Sequence, residues 1–118
     1  MNYRTLGKTG LPVSEISMGG LFVASFAGDL ERARRAVQRA FELGVNLIDT
    51  APGYADSEEV LGKILPDVHT PFFLSTKLGG RPHPFDARDK QALFSSVETS
   101  LRLLKRETID LLIIHEPD

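Results

Sequence analysis

Apolar residues recur at helical spacing in three stretches of the chain, which predict helices over residues 29–43, 57–65 and 89–105. Asp29 is a suitable N-cap for the first helix. Gly44 follows that helix at the position where a left-handed C-terminal cap is favoured. The first predicted helix is therefore defined by its two ends as well as by its apolar face.

Short apolar runs alternate with these helices and predict four strands. The runs are Glu15–Gly20, Val45–Ile48, Phe72–Thr76 and Ile109–Ile114. Strict alternation of strand and helix is typical of a parallel sheet with right-handed crossovers. The last run is almost entirely apolar, so we expect that strand to be covered on both faces.

The pattern divides the chain, a single domain over 1–118, into a hairpin over 1–14 and four β/α units over 15–118. Pro12 cannot donate to a central ladder, so the hairpin is expected at the periphery. An open dinucleotide-binding sheet is disfavoured because Gly19-Gly20 lacks the three-glycine spacing of its phosphate turn. A (β/α)8 barrel takes about 250 residues. The prediction is therefore an α/β fold, the N-terminal half of such a TIM barrel.

Composition narrows the possible partners. The 118 residues carry a net charge of −2 and no cysteine, which excludes disulfides and thiolate metal sites. Without a basic stripe, nucleic acid is not an expected partner. No apolar run approaches the length of a membrane span, and a cytoplasmic protein is expected. The exposed edges of a half-barrel predict self-association.

Titratable residues stand where three predicted strands end. Asp49 follows the second strand, Lys77 the third and His115 the fourth, and Tyr54 lies shortly after Asp49. Each alone is more often a capping, solvated or packing residue, but the carboxyl ends of barrel strands share one rim, where barrel enzymes carry out their chemistry. The sequence therefore predicts one site that contains all four.

These residue types suit proton transfer to a carbonyl oxygen. A tyrosine phenol ordinarily holds its proton too tightly for acid catalysis near neutral pH, and a neighbouring lysine ammonium favours its release. A carboxylate would hold the lysine, and a neutral histidine would orient the substrate carbonyl. None of these groups can supply a hydride, so a cofactor is required.

Five segments together resemble the aldo-keto reductase family. They are Leu6–Ser14, Asn46–Tyr54 with Ser57–Gly62, Ser75–Lys77, Ser100–Leu104 with Ile109–Leu111, and His115–Asp118. The resemblance implies an NADPH-dependent reductase of aldehydes or ketones, in which the N-terminal hairpin closes the barrel floor.

The resemblance also implies a role for each site residue. Tyr54 would be the general acid, and Lys77 would make its phenol more acidic. Asp49 would hold Lys77 and reach the nicotinamide ribose, and His115 would orient the carbonyl. The backbone of Gly20, Leu21 and Phe22 would border the nicotinamide. Most nucleotide contacts of the family come from strands five to eight, which we expect to lie beyond this sequence.

Three other interpretations remain open. A non-catalytic, self-associating half-barrel would account for the bare edges without any chemistry. A metal-dependent hydrolase would need His69, His83 and His115 to converge, although His69 is predicted at the opposite end of the sheet from His115. A Schiff-base aldolase built on Lys77 would leave Asp49 and Tyr54 without a role.

Overall fold

A computed structural model describes residues 1–81 and 83–115 of the chain. The first two strands, β1 (Tyr3–Thr5) and β2 (Pro12–Ser14), form an antiparallel hairpin, which confirms the hairpin predicted over residues 1–14. Asn46 ties this hairpin to the rest of the chain. Its Oδ1 accepts a hydrogen bond of 2.7 Å from the Ser14 backbone N–H, and its Nδ2 donates one of 2.8 Å to the Pro12 carbonyl.

A four-stranded parallel sheet follows the hairpin. Its strands, adjacent in chain order, are β3 (Met18–Gly19), β4 (Leu47–Asp49), β5 (Phe73–Leu78) and β6 (Leu111–Ile114). The crossovers contain α1 (Leu30–Glu42), α2 (Ser57–Ile64) and α3 (Lys90–Leu104). The predicted alternation of strands and helices is therefore confirmed.

The hydrophobic core lies between the sheet and the three helices. Its fully buried members include Val37 of α1, Ile48 of β4, Leu61 of α2, Leu74 of β5 and Leu104 of α3. Each comes from a different element, so all three helices and the two central strands contribute to one core. In the two described ranges, no helix is long and apolar enough to cross a membrane.

The predicted bounds of all four parallel strands were wrong by one residue or more, and two cases have a clear physical reason. Strand β5 was expected to end at Thr76, but it continues through Lys77 and Leu78 because these residues pair with Ile113 and Ile114 of β6. Strand β3 was expected over 15–20, yet only two residues pair with β4. A 3-10 turn begins at Gly20 and ends β3 early.

The expectation that the last strand is covered on both faces was also wrong. Leu112, Ile113 and Ile114 are 47%, 46% and 66% exposed. Strand β6 is an edge strand with β5 as its neighbour, and α3 packs mainly against α2 and β5. An apolar run becomes a buried strand only when other elements pack against both faces of the sheet, and β6 is not covered in this way.

Candidate active site

Four titratable side chains meet at the carboxyl edge of the parallel sheet. Asp49 is the last residue of β4, Lys77 lies near the end of β5, and His115 directly follows β6. Tyr54 lies in the turn after β4, where its backbone N–H donates to the Ala51 carbonyl at 3.1 Å. The structure therefore brings together all four residues predicted from the sequence. Residues 116–118, also part of the predicted motif, lie outside the described residues.

Lys77 and Asp49 form a partly buried ion pair. Their side chains are 11% and 30% exposed, and the Lys77 Nζ lies 2.6 Å from Asp49 Oδ2. The same Nζ donates to the Thr50 carbonyl at 2.9 Å, and the Ser75 hydroxyl donates to Asp49 Oδ1 at 2.8 Å. An ammonium has three N–H donors, and these contacts direct two of them.

The Tyr54 ring contacts both the cation and the imidazole. The Lys77 Nζ is 4.8 Å from the centroid of the Tyr54 ring. The Tyr54 and His115 rings are 5.9 Å apart at 88°, an edge-to-face contact. This arrangement brings an ammonium and an imidazole against the same phenol ring.

An open cleft of about 840 Å³ lies beside His115. The segment that follows β5 lines it, with Gly79, Phe85 and Arg88 among the contributing residues, and Ile114 lies on the β6 side. This volume is within the usual range for sites that bind small molecules. The cleft therefore has room for the remainder of a molecule whose reacting group lies beside Tyr54 and His115.

The turn that begins at Gly20 packs directly against the site. A Cβ at Gly20 would lie 2.8 Å from the Asp49 carbonyl oxygen, closer than real Cβ contacts allow. The Gly20 carbonyl also accepts a 2.7 Å hydrogen bond from the Ser57 hydroxyl. Glycine therefore permits the close approach of this turn to Asp49. Leu21 is half-buried in the same turn and Phe22 is 74% exposed.

Asp56 joins the same loop region to the start of α2. Its Oδ1 accepts a 2.8 Å hydrogen bond from the Ser25 backbone N–H. Hydrogen bonding by the Ser25 side chain and backbone lowers the pKa of Asp56 below its usual value. Ser57 was predicted to open α2 and is its first residue. Its hydroxyl, however, bonds to Thr50 and Gly20 within the core instead of capping the helix.

Some residues around the site were not predicted. Ser75 was recognised only as part of a strand motif, although its hydroxyl orients Asp49. Glu58 was recognised only as part of the segment that resembles the family, yet it is 2% exposed and contacts Thr76 and Arg81. The sequence signal for a buried Glu58 was its position next to the apolar face of a helix. Among residues 1–81 and 83–115, no group of three or more His, Cys, Asp or Glu could hold a metal ion.

Comparisons with known proteins agree with this architecture. The model of the aldo/keto reductase family matches residues 15–118. L-galactose dehydrogenase from Arabidopsis thaliana is 34% identical over 120 residues, which cover 96% of this chain and 37% of that protein. A 6-dehydroglucose reductase from Novosphingobium aromaticivorans is 34% identical over 128 residues, covering 98% and 42%. An Arabidopsis thaliana protein named as a probable voltage-gated potassium channel β subunit is 31% identical over 125 residues, covering 100% and 38%.

Solved structures give the same result. The holo form of an aldo-keto reductase from Bacillus halodurans superposes with a TM-score of 0.84 at 33% identity, covering 98% of this chain and 40% of that one. A glycerol dehydrogenase from Gluconobacter oxydans superposes with a TM-score of 0.76 at 30% identity, covering 99% and 39%. The predicted partial (β/α)8 barrel is thus confirmed.

The chain spans about two fifths of the length of these curated relatives. The family model nevertheless covers nearly all of the chain after the hairpin, including each of the four residues at the carboxyl edge of the sheet. The chain belongs to the aldo-keto reductase family.

Proposed function

We propose that this chain contributes the proton-transfer site of an NADPH-dependent oxidoreductase that reduces an aldehyde or ketone to an alcohol. One observation carries the proposal. The Tyr54 ring has the ammonium of Lys77 4.8 Å from its centroid and the imidazole of His115 5.9 Å away between centroids. That arrangement suits protonation of a small polar atom held beside the phenol.

Each of the four side chains has a distinct part in the proposed reaction. Tyr54 donates its phenolic proton to the carbonyl oxygen as that oxygen gains negative charge. The Lys77 ammonium stabilises the phenolate left behind, and Asp49 holds Lys77 in place through its 2.6 Å contact. His115 donates a hydrogen bond that orients the carbonyl. The cleft beside His115 takes the rest of the substrate.

The cofactor is proposed to lie along the turn after β3. NADPH, when bound, supplies the hydride that none of these side chains carries. Gly20 and Leu21 would border the nicotinamide, and Asp49 would reach its ribose. Support comes from the close packing of Gly20 on the Asp49 backbone carbonyl, which brings this turn next to the end of β4. Three relatives also carry the redox names dehydrogenase or reductase.

The first test is a fluorescence titration of the 118-residue chain with NADPH, followed by an aldehyde-reduction assay that follows the loss of NADPH absorbance. A Tyr54→Phe variant should lose about 10²–10⁴ in kcat, the usual contribution of a general acid. Tyr3→Phe is the matched control, since Tyr3 is the other tyrosine and lies exposed on the hairpin. Activity in Tyr54→Phe equal to that of Tyr3→Phe would refute the assignment.

The exposed edge of the sheet favours a second candidate, a self-associating half-barrel. Leu112, Ile113 and Ile114 leave β6 partly uncovered, and β3 forms the opposite edge. Open parallel edges with apolar side chains promote pairing with another chain. Two copies of the four-stranded sheet would together provide the eight strands of a closed barrel.

Sedimentation velocity tests this second candidate. The native chain should sediment as a dimer, and Leu112→Lys should shift it towards monomer, because a charge on an edge strand opposes pairing. Leu43→Lys adds the same charge at an equally exposed leucine after α1 and should leave the dimer intact. A native chain that is monomeric at every concentration would refute self-association.

A further inference from the structure

A buried carboxylate lies directly behind the candidate site. Glu58 of α2 is 2% exposed. Its Oε1 accepts a 2.6 Å hydrogen bond from the Thr76 hydroxyl, and its Oε2 pairs with the Arg81 guanidinium. Arg81 also donates to the Ser100 hydroxyl of α3 at 3.1 Å. One carboxylate therefore connects α2 with β5, and through Arg81 with α3.

A buried ion pair of this kind is weak evidence for a role in stability. Removing two charges from water costs free energy that their attraction often fails to recover, and apolar replacements of similar volume can be as stable. The position of the pair is more informative. Glu58 lies four residues after Tyr54, and Thr76 immediately precedes Lys77.

The geometry of a strand links Thr76 to Lys77. Successive side chains of a strand point to opposite faces, so the hydroxyl of Thr76 reaches Glu58 while Lys77 reaches Asp49 on the other face. Anchoring Thr76 to α2 fixes the orientation of β5 at this point. Because the turn that carries Tyr54 runs straight into α2, the same anchor fixes the spacing between Tyr54 and Lys77.

We propose that Glu58 is a positioning residue, whose buried carboxylate, held by Thr76 and Arg81, sets the separation between Lys77 and the Tyr54 ring. The significance of that separation for proton transfer rests on the proposed function, whereas the separation itself can be measured without turnover. Glu58 acts through the backbone of α2 and β5, and its role does not require contact with the side chains that line the cleft.

The test measures the nuclear Overhauser effect between the ε-methylene protons of Lys77 and the Tyr54 ring protons in the full 118-residue chain. The native chain should show this cross-peak, given the 4.8 Å separation of Nζ and ring centroid. Glu58→Gln and Thr76→Val should weaken it about threefold, as the inverse sixth power of distance requires for a displacement of about 1 Å from 4.8 Å.

Two controls separate positioning from general effects. Glu59→Gln removes the same charge one residue later on α2, where the side chain is exposed and pairs with Lys63, and it should leave the cross-peak unchanged. Thr76→Ser retains the hydroxyl and should also retain the signal. If Glu58→Gln fails to fold, the comparison of Thr76→Val with Thr76→Ser still decides the question.

The outcomes are distinct. An unchanged cross-peak in folded Glu58→Gln and Thr76→Val would overturn the proposal, as would its absence from the native chain. Weakening in both variants, with no change in the two controls, would support it. If the cross-peaks follow this pattern but Tyr54→Phe reduces a carbonyl as fast as Tyr3→Phe, the proposed function is refuted and the positioning role stays in place.

Discussion

Gly62 of α2 offers a test of how closely the helices behind the site must pack. On intrinsic preference alone, alanine would stabilise a helix interior over glycine by about 1 kcal/mol. The packing predicts the opposite sign. A Cβ at Gly62 would lie 1.8 Å from the Leu103 carbonyl oxygen of α3 and 3.3 Å from the Cα of Leu104.

The size of the effect follows from that contact. The added Cβ would lie 1.8 Å from the Leu103 oxygen, whereas an ordinary contact begins at 3.4 Å. Helices α2 and α3 would therefore have to separate by about 1.6 Å. Overpacking of a core costs about 1–3 kcal/mol, and a rigid backbone partner favours the upper end. After the gain in helix preference, Gly62→Ala should lose about 2 kcal/mol of the free energy of unfolding.

Urea denaturation followed by circular dichroism measures this loss, and a thermal melt should fall by about 8 °C. Gly19→Ala is the matched control, because a Cβ there meets no heavy atom within 4 Å. A Gly62→Ala chain as stable as the native one, or more stable, would show that α2 and α3 are not in close backbone contact and would refute the reasoning.

Two further predictions concern contacts that hold the loops and the hairpin. Ser25 lowers the pKa of Asp56 in the folded chain. The Asp56 carboxylate therefore stabilises the fold above the usual carboxyl pKa, and this stabilisation is lost as the pH falls through the folded-state pKa. The stability difference between the native chain and Asp56→Asn should therefore shrink as the pH falls below the usual carboxyl pKa of about 4; a constant difference would contradict it. Asn46→Ala removes the side-chain bonds to Ser14 and Pro12 and should cost about 1–3 kcal/mol. Amide exchange of the hairpin should then accelerate more than exchange in α1, and equal acceleration would count against a local role.

The sequence predicted those parts of the fold that depend on local signals. Helix α1 begins after Asp29, whose side chain accepts a hydrogen bond from the Arg32 N–H, and Gly44 follows it with a φ of +89°. Both features can be recognised from neighbouring residues. The end of β5 could not be predicted in this way, because Lys77 and Leu78 join the strand by pairing with β6, more than 30 residues later.

The same distinction applies to the candidate site. Asp49, Tyr54, Lys77 and His115 were predicted because parallel strands bring their carboxyl ends to one edge. The contacts of Glu58 with Thr76 and Arg81 join residues separated by 18 and 23 positions. Nothing in the local pattern marks such partners, since glutamate early in a helix is common for electrostatic reasons alone.

The unexpected length of β5 explains how Asp49 is held. In a strand, residues two apart share a face, so Ser75 and Lys77 point to the same side. Each therefore reaches one oxygen of Asp49, at 2.8 Å and 2.6 Å. Had the strand ended at Thr76, as the sequence suggested, nothing would have kept Lys77 in phase with Ser75. The pairing of Lys77 with Ile113 keeps it in the ladder, so β6 helps to position the cation as well as His115. Disturbing the exposed β6 edge should therefore affect the Asp49–Lys77 pair before it affects the buried core.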